Sequence, residues 1–165
     1  MRDNIDIFFL KMAYLYAERS TCVRRKVGAV IVRDKIQLSG GYNGAPIGVK
    51  HCTKESCLRI GVKSGENPQN CFASHAEGNA IANAAKNGVN IDEATMYCTT
   101  QPCTYCAKLM VNAGIKRLVF CEPYGGGFDK LTSEILKNVE VVIISKEEVF
   151  KWLNLDIEWI VLYII

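Results

Sequence analysis

His75-Ala76-Glu77 and, further along, Pro102-Cys103-Thr104-Tyr105-Cys106 are the two stretches that decide how this chain is read. One histidine and two cysteines are three donors of the kind zinc prefers, and three protein donors leave the fourth tetrahedral position open to water. An open position separates a catalytic zinc from a closed structural one. Glu77 stands beside the histidine and is left to move protons.

The sequence around these stretches places them on secondary structure. His75 lies where a helical pattern begins, with Ile81, Ala84 and Ala85 on one face and Gly88 as its stop. This predicts a helix over 76–86 with His75 and Glu77 in its first turn. The electropositive helix start favours an ionised Glu77. Pro102 suits the start of a second helix, Cys103 to Asn112, which Gly114 ends. Cysteines three apart share a face there, and a metal together with the helix end favours thiolates. Elsewhere the pattern predicts a helix over 5–18, strands over 28–33, 37–42, 95–99 and 117–121, and a helix over 131–137. Val139 to Ile144 is almost wholly apolar and reads as a buried strand. Strands alternating with helices imply an α/β sandwich. There is no internal repeat, and the glycine run 125–127 reads as a connector, not a phosphate loop.

The chemistry follows from the donors. Free water has a pKa of about 15.7, whereas zinc-bound water titrates near about 7. That shift is worth about 12 kcal/mol of hydroxide availability, part of which is returned as weaker nucleophilicity. One carboxyl close to both water and substrate can then serve successive proton transfers, and Glu77 is the candidate. A lone Cys-x-x-Cys fits a redox pair or half a zinc finger equally well. Joined to His-x-Glu, it is the signature of zinc-dependent nucleobase deaminases.

On these residues the chain resembles the cytidine and deoxycytidylate deaminase superfamily, and within it the phage-type deoxycytidylate (dCMP) deaminases. Gly28-Ala29-Val30-Ile31-Val32 resembles the family's first strand and Gly41-Tyr42-Asn43-Gly44-Ala45-Pro46 its loop. The two zinc segments follow in the family's order, as does Cys121-Glu122-Pro123-Tyr124, and the likeness covers roughly residues 5 to 145. It implies a three-layer α/β/α sandwich around a central mixed sheet of about five strands. It also implies deamination of dCMP to dUMP, with His75, Cys103 and Cys106 on zinc and Glu77 protonating N3 and then assisting ammonia to leave. Asn43 would bond the deoxyribose, Tyr124 would line the base pocket, and Ala76 and Thr99 would complete the substrate site. Activation by dCTP and inhibition by dTTP, with Mg²⁺ accompanying the effector, are implied as well. Arg24, Lys26, Gly41, Tyr42, Gly44, Ala45 and Pro46 are the place to look for them. Asn-Gly is also a common tight-turn pair and Tyr124 could be ordinary packing, so both readings stay open. The zinc segments alone equally fit transfer-RNA adenosine deaminases and riboflavin-pathway deaminases. A zinc-stabilised interaction module is the non-catalytic alternative, against which Glu77 speaks, because structural zinc needs no acid.

Eight cysteines would signal disulfides in a small secreted domain, but a reducing compartment fits an evident metal site better. Cys98 and Cys121 sit in apolar strand patterns as small buried side chains. Cys22, Cys52, Cys57 and Cys71 lie in polar, turn-rich sequence, the last three in an insertion at about 47–72 with too few apolar residues to organise itself. In phage-type relatives a second, structural zinc ties the first loop to this insertion, and Cys22 and Cys52 match two of its ligands. Ala73 departs from that pattern where a ligand is expected. Cys57 and Cys71 are therefore inferred to complete a four-cysteine site, with His51 as a substitute.

Composition bounds the rest. The chain has 165 residues, 49% hydrophobic and 22% charged, which suits one domain over 1–165 burying roughly 70% of its unfolded surface. A net charge of +3 is too small to argue for a nucleic-acid partner, and only Arg24-Arg25-Lys26 stands out, as a solvated loop or a phosphate contact. Asp3, Asp6 and Lys11 interrupt the apolar N-terminal stretch, which reads as no signal peptide and a cytoplasmic protein. The apolar extension at about 157–165 is too short to span a bilayer as a helix and too apolar to stand in water. It is expected to pack as a buried strand or as a contact in a homodimer or hexamer.

Overall fold

The structure, a computed structural model, describes residues 4–63, 66–123 and 127–151. Five strands, β1 (Gly28–Arg33), β2 (Ile36–Tyr42), β3 (Thr95–Thr100), β4 (Arg117–Glu122) and β5 (Glu140–Ile143), form one sheet in the order β2-β1-β3-β4-β5. β1 runs antiparallel to both β2 and β3, while β3, β4 and β5 run parallel, so the sheet is mixed. Helices α1 (Ile5–Ala17), α2 (Ala76–Lys86), α3 (Thr104–Asn112), α4 (Lys130–Ile135) and α5 (Lys146–Val149) complete the described elements.

The period of two along the central strands sorts their side chains into two cores. Ala29 and Ile31, Met96 and Cys98, and Leu118 and Phe120 face Ala76, Ala80 and Ala84 of α2 and Ala107 and Met110 of α3. Val30 and Val32, Tyr97, and Val119 and Cys121 face Phe9, Leu10 and Ala13 of α1 and Val149 of α5. Helices thus cover both faces of the sheet, the three-layer α/β/α sandwich that the resemblance implies. Asp6 fixes α1 to the central strands. It accepts two bonds of 2.8 Å from Arg117 and one of 2.8 Å from the Tyr97 hydroxyl.

Small residues let α2 approach β2 closely. A Cβ on Gly41 would lie 2.5 Å from the Ala80 nitrogen and 2.6 Å from the Ala76 carbonyl oxygen. Side chains stitch the two elements together: Ser39 Oγ donates to Ala80 O (2.7 Å), Asn79 Nδ2 to Tyr42 O (2.8 Å) and Asn83 Nδ2 to Gly40 O (2.8 Å). The N-terminus of α2 is thereby held against the end of β2.

The insertion is irregular apart from turns and a short 3-10 turn at Pro68–Asn70. A backbone bridge between Gly44 and Ser74 closes it at its base.

Three expectations need correction. The strand expected to be buried over Val139 to Ile144 is largely exposed: among the described residues β5 pairs with β4 alone, and Val141 and Ile143 are 37% and 61% exposed. An apolar run records affinity for a covered surface, and as a described sheet edge β5 has a strand on one side only. His75 is the N-cap of α2 with extended backbone, so Glu77 but not His75 lies in the first turn. Cys103 likewise caps α3 instead of opening it. Tyr124 and the extension at 157–165 lie outside the described residues. Among those residues no helix is long and apolar enough to cross a membrane.

Candidate active site

The strand ends and helix starts meet at one end of the sheet. β3 runs into Gln101 and Pro102 and delivers Cys103 at the start of α3, while α2 presents His75 and Glu77 from its own start. His75 Nδ1 lies 3.4 Å from the Sγ of both Cys103 and Cys106. Among the described residues these are the three metal-type donors that close to within 4.8 Å of one another. Zinc bonds of about 2.3 Å to sulfur and about 2.05 Å to nitrogen at a tetrahedral angle put N and S about 3.5 Å apart. The spacing found here therefore fits zinc without rearrangement.

The three donors are tightly coupled to one another. The hydrogen bond from Cys106, aided by His75, holds the Cys103 thiol down at about 4 against the opposing effect of burial. Cys106, sharing that bond and buried, is pushed up. The Cys103 bond raises His75 to about 9. Glu77 is 4% exposed, and burial raises its carboxyl above the ordinary range although His75 opposes this. A carboxyl of raised pKa beside a metal-ligand triad suits a group that must both take and give a proton.

These groups open into a cavity of about 440 Å³. Ala76, Asn43 and Arg24, expected at the site, line it together with His75, Glu77 and Cys103. Asn43 is also a brace: its Oδ1 accepts from Ser20 Oγ (2.6 Å) and Val27 N (2.8 Å), and its Nδ2 donates to Arg25 O (2.8 Å). One amide hydrogen remains for a ligand. Thr99 is buried and accepts from Gly28 N at 3.2 Å, while its neighbours Thr100 and Gln101 form the lining.

The residues grouped for an effector do not gather in one place. Arg24 lines the cavity and donates to Val62 O at 2.6 Å, but Lys26 pairs on the surface with Glu18 at 2.8 Å. Gly41 is packed against α2, Tyr42 bonds Asn79 through its carbonyl, Gly44 forms the bridge to Ser74, Ala45 is half-buried and Pro46 is exposed.

All eight cysteines are unpaired, and Cys98 and Cys121 are buried. Cys22, Cys52, Cys57 and Cys71 are partly covered, and the last three come from the insertion. Burial raises the Cys52 thiol, and Cys57, Cys71 and Cys22 act on it in that order, but no three of these four sulfurs close to within 4.8 Å of one another. Cys22 and Cys71 also line the cavity, whereas His51 is exposed. Arg59 is a lining residue that sequence reasoning missed. A single arginine in a polar insertion carries no pattern that predicts its burial.

Residues 3–122 match the family described as the cytidine and deoxycytidylate deaminase zinc-binding region. The chain belongs to that family. It is 36% identical over 143 residues to the deoxycytidylate deaminase of Saccharomyces cerevisiae, covering 87% of this chain and 45% of the yeast protein. It is 35% identical over 186 residues to that of Enterobacteria phage T4, covering 89% and 94%. The dCMP deaminase of cyanophage S-TIM5, in complex with dCMP and dUMP, superposes with a TM-score of 0.69 at 31% identity, covering 87% of this chain and 99% of that one. The chain thus spans less than half the length of the yeast deaminase and nearly all of the phage deaminases.

Proposed function

We propose that the protein hydrolyses dCMP to dUMP and ammonia. The observation that carries this is the convergence of His75, Cys103 and the buried Glu77 on one cavity, with Cys106 closing the donor group beside it. The deoxycytidylate deaminases among its relatives support the choice of substrate.

His75, Cys103 and Cys106 would hold zinc, which when bound supplies an acidified water. Glu77 would take a proton from the attacking water and pass it to N3 of the cytosine ring. It would then carry the remaining proton of the hydroxyl added at C4 to the amino group there, which leaves as ammonia while the water oxygen stays on C4. Burial keeps its carboxyl basic enough to hold the proton between these transfers. The remaining Asn43 amide hydrogen serves a deoxyribose oxygen, Ala76 lines the cavity where α2 begins, and Thr99 supports the strand end from behind.

Four further parts belong to this reading. Cys22, Cys52, Cys57 and Cys71 hold a second zinc that organises the insertion, supported by the action of Cys57, Cys71 and Cys22 on the Cys52 thiol. The chain assembles as a homo-oligomer, supported by exposed Tyr105 and Leu109 four apart on α3. It works in the reducing cytoplasm, where its free thiols persist, and supplies dUMP for thymidylate synthesis. Its turnover responds to dCTP and dTTP, with Mg²⁺.

Incubation of the zinc-loaded protein with dCMP tests the central reaction. Equimolar dUMP and ammonia are expected, and unchanged dCMP would contradict it.

A further inference from the structure

Arg59 is 7% exposed, and its Nε is buried with no hydrogen-bond partner. One terminal nitrogen donates to the Glu66 carbonyl at 2.6 Å, which satisfies a single N–H but leaves the positive charge uncompensated. Among the described residues no carboxylate pairs with Arg59 or with Arg24. A buried charge without a counter-ion is costly, and proteins retain one mainly where a ligand supplies the opposite charge.

The cavity that Arg59 lines is the one that holds His75 and Glu77. Glu77 is the acidic residue among the described lining, and no ion pair joins it to the Arg59 guanidinium. Arg24, on the loop before β1, lines the same cavity and binds the insertion through Val62 O. Arg25 lines it too and is paired with Glu122 at 3.3 Å. A volume of about 440 Å³ accommodates one small nucleotide, at the lower end of the roughly 300–1,000 Å³ usual for such sites. An anion reaching Arg59 is then part of the same molecule whose base sits at Glu77.

We propose that Arg59, carried by the insertion, reads the 5′-phosphate of the substrate, with Arg24 as the adjoining cation. This rests on the deoxycytidylate reading above. A planar guanidinium matches phosphate oxygens in pairs, and Nε is one of the donors such pairing uses. The insertion thereby distinguishes nucleotide from nucleoside while the helix starts do the chemistry.

The test compares wild type, Arg59→Ala and Arg59→Lys, each full-length and zinc-loaded, in kcat/KM for dCMP and for deoxycytidine, which differ only in the phosphate. For Arg59→Ala the dCMP-to-deoxycytidine ratio is expected to fall about 30-fold or more, and Arg59→Lys, which keeps the charge, to fall less. Equal losses on both substrates would make Arg59 a brace of the insertion and overturn the proposal. An unchanged ratio with a lost response to dCTP would assign the guanidinium to an effector's phosphates and overturn it as well. If Arg59→Ala fails to fold, judged by zinc content and unfolding midpoint, Arg59→Lys decides the matter through dUMP binding, which must weaken relative to deoxyuridine. Wild type that turns over both substrates equally keeps the zinc chemistry and refutes the phosphate role. Wild type that turns over neither refutes the deoxycytidylate reading itself.

Discussion

His75 Nδ1 and Cys103 Sγ lie 3.4 Å apart although 28 positions separate them in sequence. The contact exists because α2 and α3 begin at the same end of the sheet, each capped by a residue whose side chain is a metal donor. Removing one donor leaves two, too few to hold zinc in a three-coordinate catalytic frame. Cys106→Ser is expected to lose the catalytic zinc and at least about 1,000-fold in turnover, most of what an activated water supplies. Metal analysis alongside ammonia release checks this, and retained zinc with retained turnover would contradict it.

Glu77→Gln should separate chemistry from fold. Loss of one proton shuttle costs about 100- to 10,000-fold in kcat. Because burial disfavours the Glu77 carboxylate, the uncharged amide should leave the unfolding midpoint equal or higher. Zinc content, kcat and thermal unfolding measured together read both effects. A variant with more than a few per cent of wild-type turnover would remove the proton-shuttle role.

The ion pair between Asp6 and Arg117 gives a pH dependence that owes nothing to catalysis. The Arg117 hydrogen bond holds the Asp6 carboxyl below its usual range, against burial, with Tyr97 assisting. The stabilisation is therefore complete above the unfolded value of about 3.9 and is lost as pH falls through the lower, folded one. Both side chains are partly exposed, at 13% and 25%, so Asp6→Asn is expected to cost about 1–2 kcal/mol at pH 7. Urea unfolding of wild type and variant should show this gap narrowing below about pH 4. A gap independent of pH would contradict it.

Gly41→Ala tests how α2 is positioned. The added carbon would collide with backbone atoms of Ala76 and Ala80, and backbone has no rotamer with which to yield. A loss of about 1–3 kcal/mol is expected, together with lower turnover as His75 and Glu77 move with their helix. Chemical denaturation and activity assays read the two, and a variant of wild-type stability would show that α2 is not fixed there.

Two zinc ions per chain are expected on metal analysis, and Cys71→Ser should remove one while leaving His75, Cys103 and Cys106 loaded. A single zinc in wild type would end the four-cysteine site.

The parts of the molecule legible in the sequence are those where pattern and partner are local. The apolar, β-branched run Val30, Ile31 and Val32 predicted a strand, and the structure divides these residues between two cores. His75 and the two cysteines were recognisable because metal chemistry constrains residue type and spacing. Arg59 was not, since its burial comes from the packing of an insertion without apolar periodicity. The exposure of Val141 and Ile143 was equally hidden, because an apolar run does not say whether its strand sits inside a sheet or at its edge. Thr99 and Thr100 differ only in which face of β3 they occupy near its end, a distinction of one residue in register.

The most direct test of the central claim is ammonia release by the zinc-loaded protein from dCMP, CMP, deoxycytidine and a transfer-RNA anticodon stem in parallel. The account predicts the highest kcat/KM on dCMP, with dUMP as product. Activity confined to the RNA would contradict the assigned substrate while leaving the zinc chemistry of His75, Cys103, Cys106 and Glu77 in place.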